Sequence, residues 1–563
     1  MKFEEFEYKR PDISQYQKKI KKLTDVIGSK IDKTTELEAI YKFFKIMDEL
    51  ESLETIASIR NAIDTTDKFY EKEQEFFDLN RPNIQESYNV FNKKLLQSKN
   101  RKDLEKELGS LIFDQANLSQ KTFKPEIIPN LQKENKLTTE YSKLLASAKI
   151  KFDGGIYNLS QMGPFMQNPN RETRHKAQLA VSGFFKEKEK DLDRIYDELV
   201  QVRTKIAHKL GYKNFIQLGY DRLGRTDYNA KDVKQYRDQI YKYIVPVVVD
   251  LAKRKGKRIG ISDFKSYDLA LSYKSGNPTP KGDRAWQVEQ ARKMYEELSD
   301  ETGKFFNRMV EMNVLELDSK KGKSGGGWCT FIPKYDTPYI FANFNGTAHD
   351  VNVLTHEAGH AFQIYQSRNL LPVYRWPTLE ACEIHSMSME FITWPWMRNF
   401  FKEDTEKYKF DHLASAVSFL PYGVLVDEFQ HEVYENPNLS PDERKAVWRK
   451  LEIKYLPFKD YYDDEFLNKG TYWFRQGHIF SSPFYYIDYT LAQVCAFQFF
   501  IWSRIDHKST FENYVSLCKL GGSRPFTELM ENANLKNPFK EGTIEEILKP
   551  IKKYLDSVDD IKL

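Results

Sequence analysis

Cysteine is scarce, no long apolar run is present, and net charge is close to zero. Only Cys329, Cys382, Cys495 and Cys518 occur among 563 residues, and no two form a CxxC pair. That excludes a disulfide scaffold and fits a reducing, cytoplasmic setting. The amino-terminal "MKFEEFEYKRPDISQYQKK" lacks both an apolar core and a small-residue cleavage site, so no signal peptide is expected. The most apolar internal stretch, "AVSFLPYGVLVDEF", is short and holds Pro421 and Gly423. It is not expected to cross a bilayer as one uninterrupted helix, and no membrane partner is expected. Lysine and arginine total 86 against 82 acidic residues, a formal charge of +4 that predicts no nucleic-acid partner. The densest basic run, Lys253 to Arg258, reads as a solvated helix end. A GxxxxGK[ST] phosphate loop is also missing from "GKSGGGWC", whose Gly325 to Gly327 precede a strand and open no helix.

What is present is mainly helical periodicity, in a chain long enough to need two or more structural units. Residues 1–200 carry it in "KLTDVIGSKIDKTTELEAIYKFFKIMDELESLETIASIRNAID" and, after the breaks at Pro125 and Pro129, again from Asn170. Polar helices continue to about residue 310, broken by a Lys/Gly-rich loop around Gly256 and by "KSGNPTPKGD". Composition then changes. "YIFANF" reads as a strand ending at Asn345-Gly346, and helices dominate most of the remainder. The expectation is a mostly α-helical protein with one small sheet beside its chemistry.

That chemistry is centred on "NVLTHEAGHAFQIYQ". Thr347 and Asp350 approximate a capping box for a helix from about Ala348 to Ser367. On such a helix His356 and His360 lie one turn apart on a shared face, with Glu357 beside them. This is the HExxH pattern, in which two imidazoles bind zinc and the glutamate serves as a base. The plain alternative is a pair of ordinary polar histidines. Gly359 costs about 1 kcal/mol relative to alanine in a free helix, so it predicts a close approach by neighbouring backbone. A catalytic zinc needs a third protein ligand and one open position. "PTLEACEIHSMSMEF" reads as a helix from about Thr378 that places Glu380, Glu383 and Glu390 broadly on one side. Spacing leaves Glu380 and Glu383 both open as the ligand. His385 points away from that side and reads as structural.

With these residues in view, the sequence resembles the M3 family of zinc metallopeptidases, in its oligoendopeptidase F-like branch. The resemblance runs from roughly residue 200 to the end and is most specific in "PYIFANFNGTAHDVNVLTHEAGHAFQ", "EACEIHSMSMEF" and "GHIFSSPFYYIDY". It implies a zincin-like catalytic region over 201–563 and an N-terminal helical region over 1–200, two halves enclosing a deep channel for short unfolded peptides. The family's ligand glutamate is followed three residues later by serine and seven later by glutamate, as Glu383 is by Ser386 and Glu390. The resemblance therefore implies zinc on His356, His360 and Glu383, with Glu380 as an outer carboxylate. It also implies that His478, Tyr485 and Tyr489 stand on the opposite cleft wall, with Tyr486 as an alternative. "YIFANFNG" resembles the strand against which substrate is laid, and the glycine-rich stretch a mobile loop over the cleft. "LCKLGGSRPFTELM" suggests only a turn before the last helices. The oligomeric state, monomer or dimer, stays open.

The implied reaction is metal-assisted peptide hydrolysis, with Glu357 as general base and Tyr489, Tyr485 or His478 donating to the developing oxyanion. A non-catalytic peptide-binding scaffold and a zinc hydrolase acting on non-peptide amides are the other function classes considered.

Overall fold

Helical periodicity is realised over most of the chain in a computed structural model that describes residues 1–563. Asn170 caps Arg171–Glu187 by accepting a hydrogen bond from the Thr173 amide, as the sequence suggests. Pro125 opens a short 3-10 turn, and Ile128–Ala146 follows with Pro129 in its first turn. The break expected around Gly256 is absent, and Pro421 does not end its helix either. Gly256 lies inside the helix Val245–Arg258, and Pro421 lies inside the 31-residue helix Thr405–Glu435. A single proline removes one donor without ending a helix whose sides are buried, as Leu420, Val424 and Leu425 are here. Even so, no helix is long and apolar enough to cross a membrane. The basic run is only partly solvated: Arg254 and Arg258 pair with Asp560, and Lys255 donates to the Leu269 carbonyl.

There are two small sheets rather than one. A hairpin joins β1 (Ile150–Phe152) to β2 (Gly155–Tyr157). Its signal was Asp153-Gly154, a dipeptide suited to the tight turn between antiparallel strands. The second sheet contains β3 (Leu315–Asp318), β4 (Trp328–Ile332) and β5 (Thr337–Phe344), ordered β3-β5-β4. β5 pairs in parallel with β3 and antiparallel with β4.

From β5 the chain turns directly into the helix His349–Ser367, called the histidine helix below. The expected Thr347 cap does not form. Asp350 instead reaches back to accept from the Asn345 and Gly346 amides, at 2.9 and 2.8 Å, while Thr347 donates to the Asn345 side chain. The carboxylate thereby ties the helix to the strand that precedes it.

One extended core includes residues from Phe3 to Leu555, and a smaller one joins Ile40, Phe43 and Phe91 to Tyr374. Tyr374 accepts from the Ile112 amide, and Arg375 forms a two-bond pair with Asp48 at 2.8 and 2.9 Å. N-terminal helices thus grip the segment leading to Trp376 and Pro377, which line the cavity described next.

Candidate metal centre

The histidine helix crosses a second helix, Leu379–Ile392, the glutamate helix. A Cβ on Gly359 would lie 2.7 Å from both the His385 carbonyl oxygen and Ser386 Cα. Only glycine permits that approach, which is the close contact its presence predicted. At this crossing His356 Nε2 and His360 Nε2 lie 3.1 and 3.2 Å from the same atom, Glu383 Oε2. One ligand atom from each residue fits within 4.8 Å of the other two. A tetrahedral ion with bonds of 2.0–2.1 Å separates its donors by about 3.4 Å, so the residues present fit such an ion.

The donors are held from behind. His356 Nδ1 donates to Glu390 Oε1 at 2.7 Å. Glu383 accepts from Ser386 Oγ at 2.8 Å and from the Tyr485 phenol at 2.5 Å. Burial pulls the His356 pKa down, but hydrogen bonds to Glu383 and Glu390 outweigh it and the pKa rises. Burial pushes the Glu383 carboxyl up, and the opposing charges and hydrogen bonds of His360 and His356 take it well below the usual range. A cation held here would replace the proton that His356 otherwise carries.

Glu357 stands apart from this network. It lines the same cavity, of about 310 Å³, as His356, His360, Glu383, Tyr485 and Tyr489. Its Oε2 is buried and has no hydrogen-bond partner. Burial raises its pKa against the pull of the two histidines. An unpartnered buried carboxylate oxygen beside a metal-binding trio leaves an acceptor for water or substrate.

On the facing wall, the helix Tyr486–Ser503 begins immediately after Tyr485. Tyr489 lines the cavity and lies 3.1 Å from His478 Nε2. His478 reaches the cavity through Tyr489, and Gln476 lies 2.9 Å from its Nδ1. Burial lowers the His478 pKa to about 4 and pushes both the Tyr485 and Tyr489 phenols far upward, so all three are neutral donors. Tyr486 packs behind His478 against Phe419 and Tyr422, and does not line the cavity.

Two sequence expectations require correction. The carboxylate behind His356 is Glu390, whereas Glu380 contacts neither histidine. Glu380 is fully buried with both oxygens unpartnered, in the field of Arg225, which itself pairs with Asp488 on the tyrosine-bearing helix. One turn of helix separates Glu380 from Glu383 and sends their carboxylates to different neighbours. β5 is the central strand, paired with β4 over Thr337–Phe341 and with β3 from Ile340 to Phe344. The sheet edge facing the cavity is β4, through Trp328, Cys329 and Thr330. The glycine-rich loop borders the cavity at Gly327, where the resemblance puts it, and makes several hydrogen bonds to its surroundings. Asn343 donates to the Ser324 and Gly326 carbonyls, Thr65 donates to Gly322, and Ser324 donates to Ala62. Expectation and structure agree on His385, which is buried and donates through Nδ1 to the Ala381 carbonyl.

The double glycine that suggested only a turn also shapes the site. The Gly522 amide donates to the Tyr374 carbonyl, and a Cβ there would lie 2.2 Å from the Trp376 carbonyl oxygen. This turn therefore presses against the Trp376 side of the cavity.

A mostly helical fold that brings an HExxH helix, a facing glutamate and a free sheet edge to one cavity defines a metallopeptidase. Sequence profiles agree: that of peptidase family M3 matches residues 164–548, and that of the M3 N-terminal domain matches residues 3–123. The chain belongs to peptidase family M3, in its oligoendopeptidase F-like branch. It is 23% identical over 558 residues to an oligoendopeptidase F homolog of Borreliella burgdorferi, covering 93% of this chain and 91% of that protein. An X-ray structure provisionally named oligoendopeptidase F matches at 52% identity and a TM-score of 0.99, and Pz peptidase A with an inhibitor at 51% and 0.99. Both matches cover 100% of each chain.

Proposed function

We propose that this metallopeptidase is a zinc endopeptidase of short unfolded peptides, with the metal on His356, His360 and Glu383 and with Glu357 as general base. The observation that carries this reading is the convergence of the three donors beside the unpartnered Glu357 oxygen. Two imidazoles and one carboxylate form a common catalytic zinc donor set. Bound there, zinc supplies a Lewis acid and lowers the pKa of water from about 15.7 toward about 7.

Glu357 accepts the proton of the attacking water and returns it to the departing amine. Tyr489 donates to the carbonyl oxygen as negative charge grows, while His478 holds the phenol in place. Tyr485 is already engaged with Glu383, so its main task is to orient that ligand. Extended substrate lies along the free edge of β4, where backbone pairing is independent of side-chain sequence. The oligoendopeptidase and oligopeptidase names of the relatives support the substrate class. The helices of residues 1–200 cover this channel.

The test is cleavage of a mixed oligopeptide pool with and without chelator, followed by mass mapping of products and restoration with zinc. Internal cuts that vanish with chelator and return with zinc are expected. Cleavage that persists after complete metal removal defeats the proposal.

A further inference from the structure

Behind His356 a chain of hydrogen bonds extends beyond the residues discussed so far. Trp394 Nε1 lies 2.9 Å from His412 Nδ1, His412 Nε2 lies 2.7 Å from Glu390 Oε2, and Glu390 Oε1 accepts from His356 Nδ1. An indole nitrogen can only donate. His412 Nδ1 therefore carries the lone pair, and His412 is neutral with its proton on Nε2. That proton can only be given to Glu390, whose two oxygens are then both occupied. His356 consequently keeps its proton on Nδ1, so that Nε2, 3.1 Å from Glu383 Oε2, is the atom left to exchange its proton for a cation.

The packing around His412 suits a fixed orientation. Its ring is parallel to Tyr408 within 7° at 5.5 Å and lies 4.8 Å from Phe391. The Tyr408 phenol donates to Asn352, one turn before His356 on the histidine helix. His412 and Tyr408 belong to Thr405–Glu435, which supplies no proposed metal ligand.

We propose that Trp394 and His412 are positioning residues for the metal centre, setting the His412 tautomer and, through Glu390, the orientation and basicity of His356. This rests on His356 being a metal ligand. An outer hydrogen bond of this kind fixes a ligand's tautomer and changes metal affinity by about 10–100-fold when lost.

The test uses the full chain, stripped of metal, with zinc affinity read by chelator competition and folding by thermal melting. Nitrogen NMR of histidine-labelled protein reads the His412 tautomer directly. In the wild type, His412 is expected as the neutral Nε2–H form. Trp394→Phe should release that preference and weaken zinc binding by about 10-fold, and His412→Phe by about 10–100-fold, with the melt retained. His412→Gln, whose amide can still donate to Glu390, should recover part of the affinity. Equal zinc affinity in folded His412→Phe and wild type overturns the proposal, as does a wild-type His412 protonated on Nδ1. If His412→Phe does not fold, unchanged affinity in Trp394→Phe overturns it instead. A wild type that binds no zinc defeats the metal-centre reading itself, which separates the two failures.

Discussion

The two walls of the cavity differ in how they manage charge. On the helix-crossing wall, Glu383 and Glu390 are ionised carboxylates with both oxygens engaged, and both face His356. Hydrogen bonds from His356 and His412 overcome the effect of burial and hold Glu390 at a pKa of about 2. Across the cavity, His478, Tyr485 and Tyr489 are neutral, because burial disfavours their charged forms. A wall with fixed negative charge suits a resident cation. A wall of neutral donors suits negative charge that appears only during reaction. Glu357 lies on the charged wall but its Oε2 lacks a partner, as the proposed role of general base requires.

The largest test of this contrast is Glu357→Gln. Zinc content should stay at the wild-type level while turnover falls by about 10²–10⁴-fold, as steady-state kinetics and metal analysis would show. Next is the division of labour between two phenols. Tyr489→Phe should reduce kcat by about 10²–10³-fold with little change in KM, whereas Tyr485→Phe should weaken zinc retention. The reverse pattern would erase the distinction between the walls. A smaller effect is acid release of metal. His356 is pushed toward its protonated form, so protons compete with zinc and affinity should fall about tenfold for each pH unit once one proton is displaced. Equilibrium dialysis across pH 5 to 7 measures this directly.

The smallest effect concerns folding. Burial lowers the His385 pKa to about 4, against about 6.5 in an unfolded chain. Between those values the unfolded chain takes up a proton that the native side chain does not. Stability should therefore fall as pH drops through this window, by about 1.4 kcal/mol per unit for this histidine. His385→Asn should flatten the acid limb of denaturation curves by that slope.

Much of the site was legible because its signals are local. HExxH places two imidazoles on one helical face, and Gly359 announced a crossing that occurs at Ser386. The strand preceding the helix was readable from "YIFANF", and the Asp153-Gly154 hairpin was readable but overlooked. Choosing Glu383 over Glu380 required the family resemblance, since spacing alone leaves both on one side. The Thr347 cap failed because Asp350 found better donors in the turn before it. Glycine was overweighted as a break at Gly256, where helix packing outweighs local preference.

Periodicity and side-chain chemistry along the chain therefore determined a mostly helical protein with a paired-histidine site, since both depend on residues within a few positions of one another. Only the tertiary structure decided that β4 rather than β5 has the open edge, and that Glu390 rather than Glu380 braces His356. It alone also joined Trp394 and His412 to that brace. Strand order and hydrogen-bond partners between distant elements arise from how helices and strands meet, and no local spacing encodes that meeting.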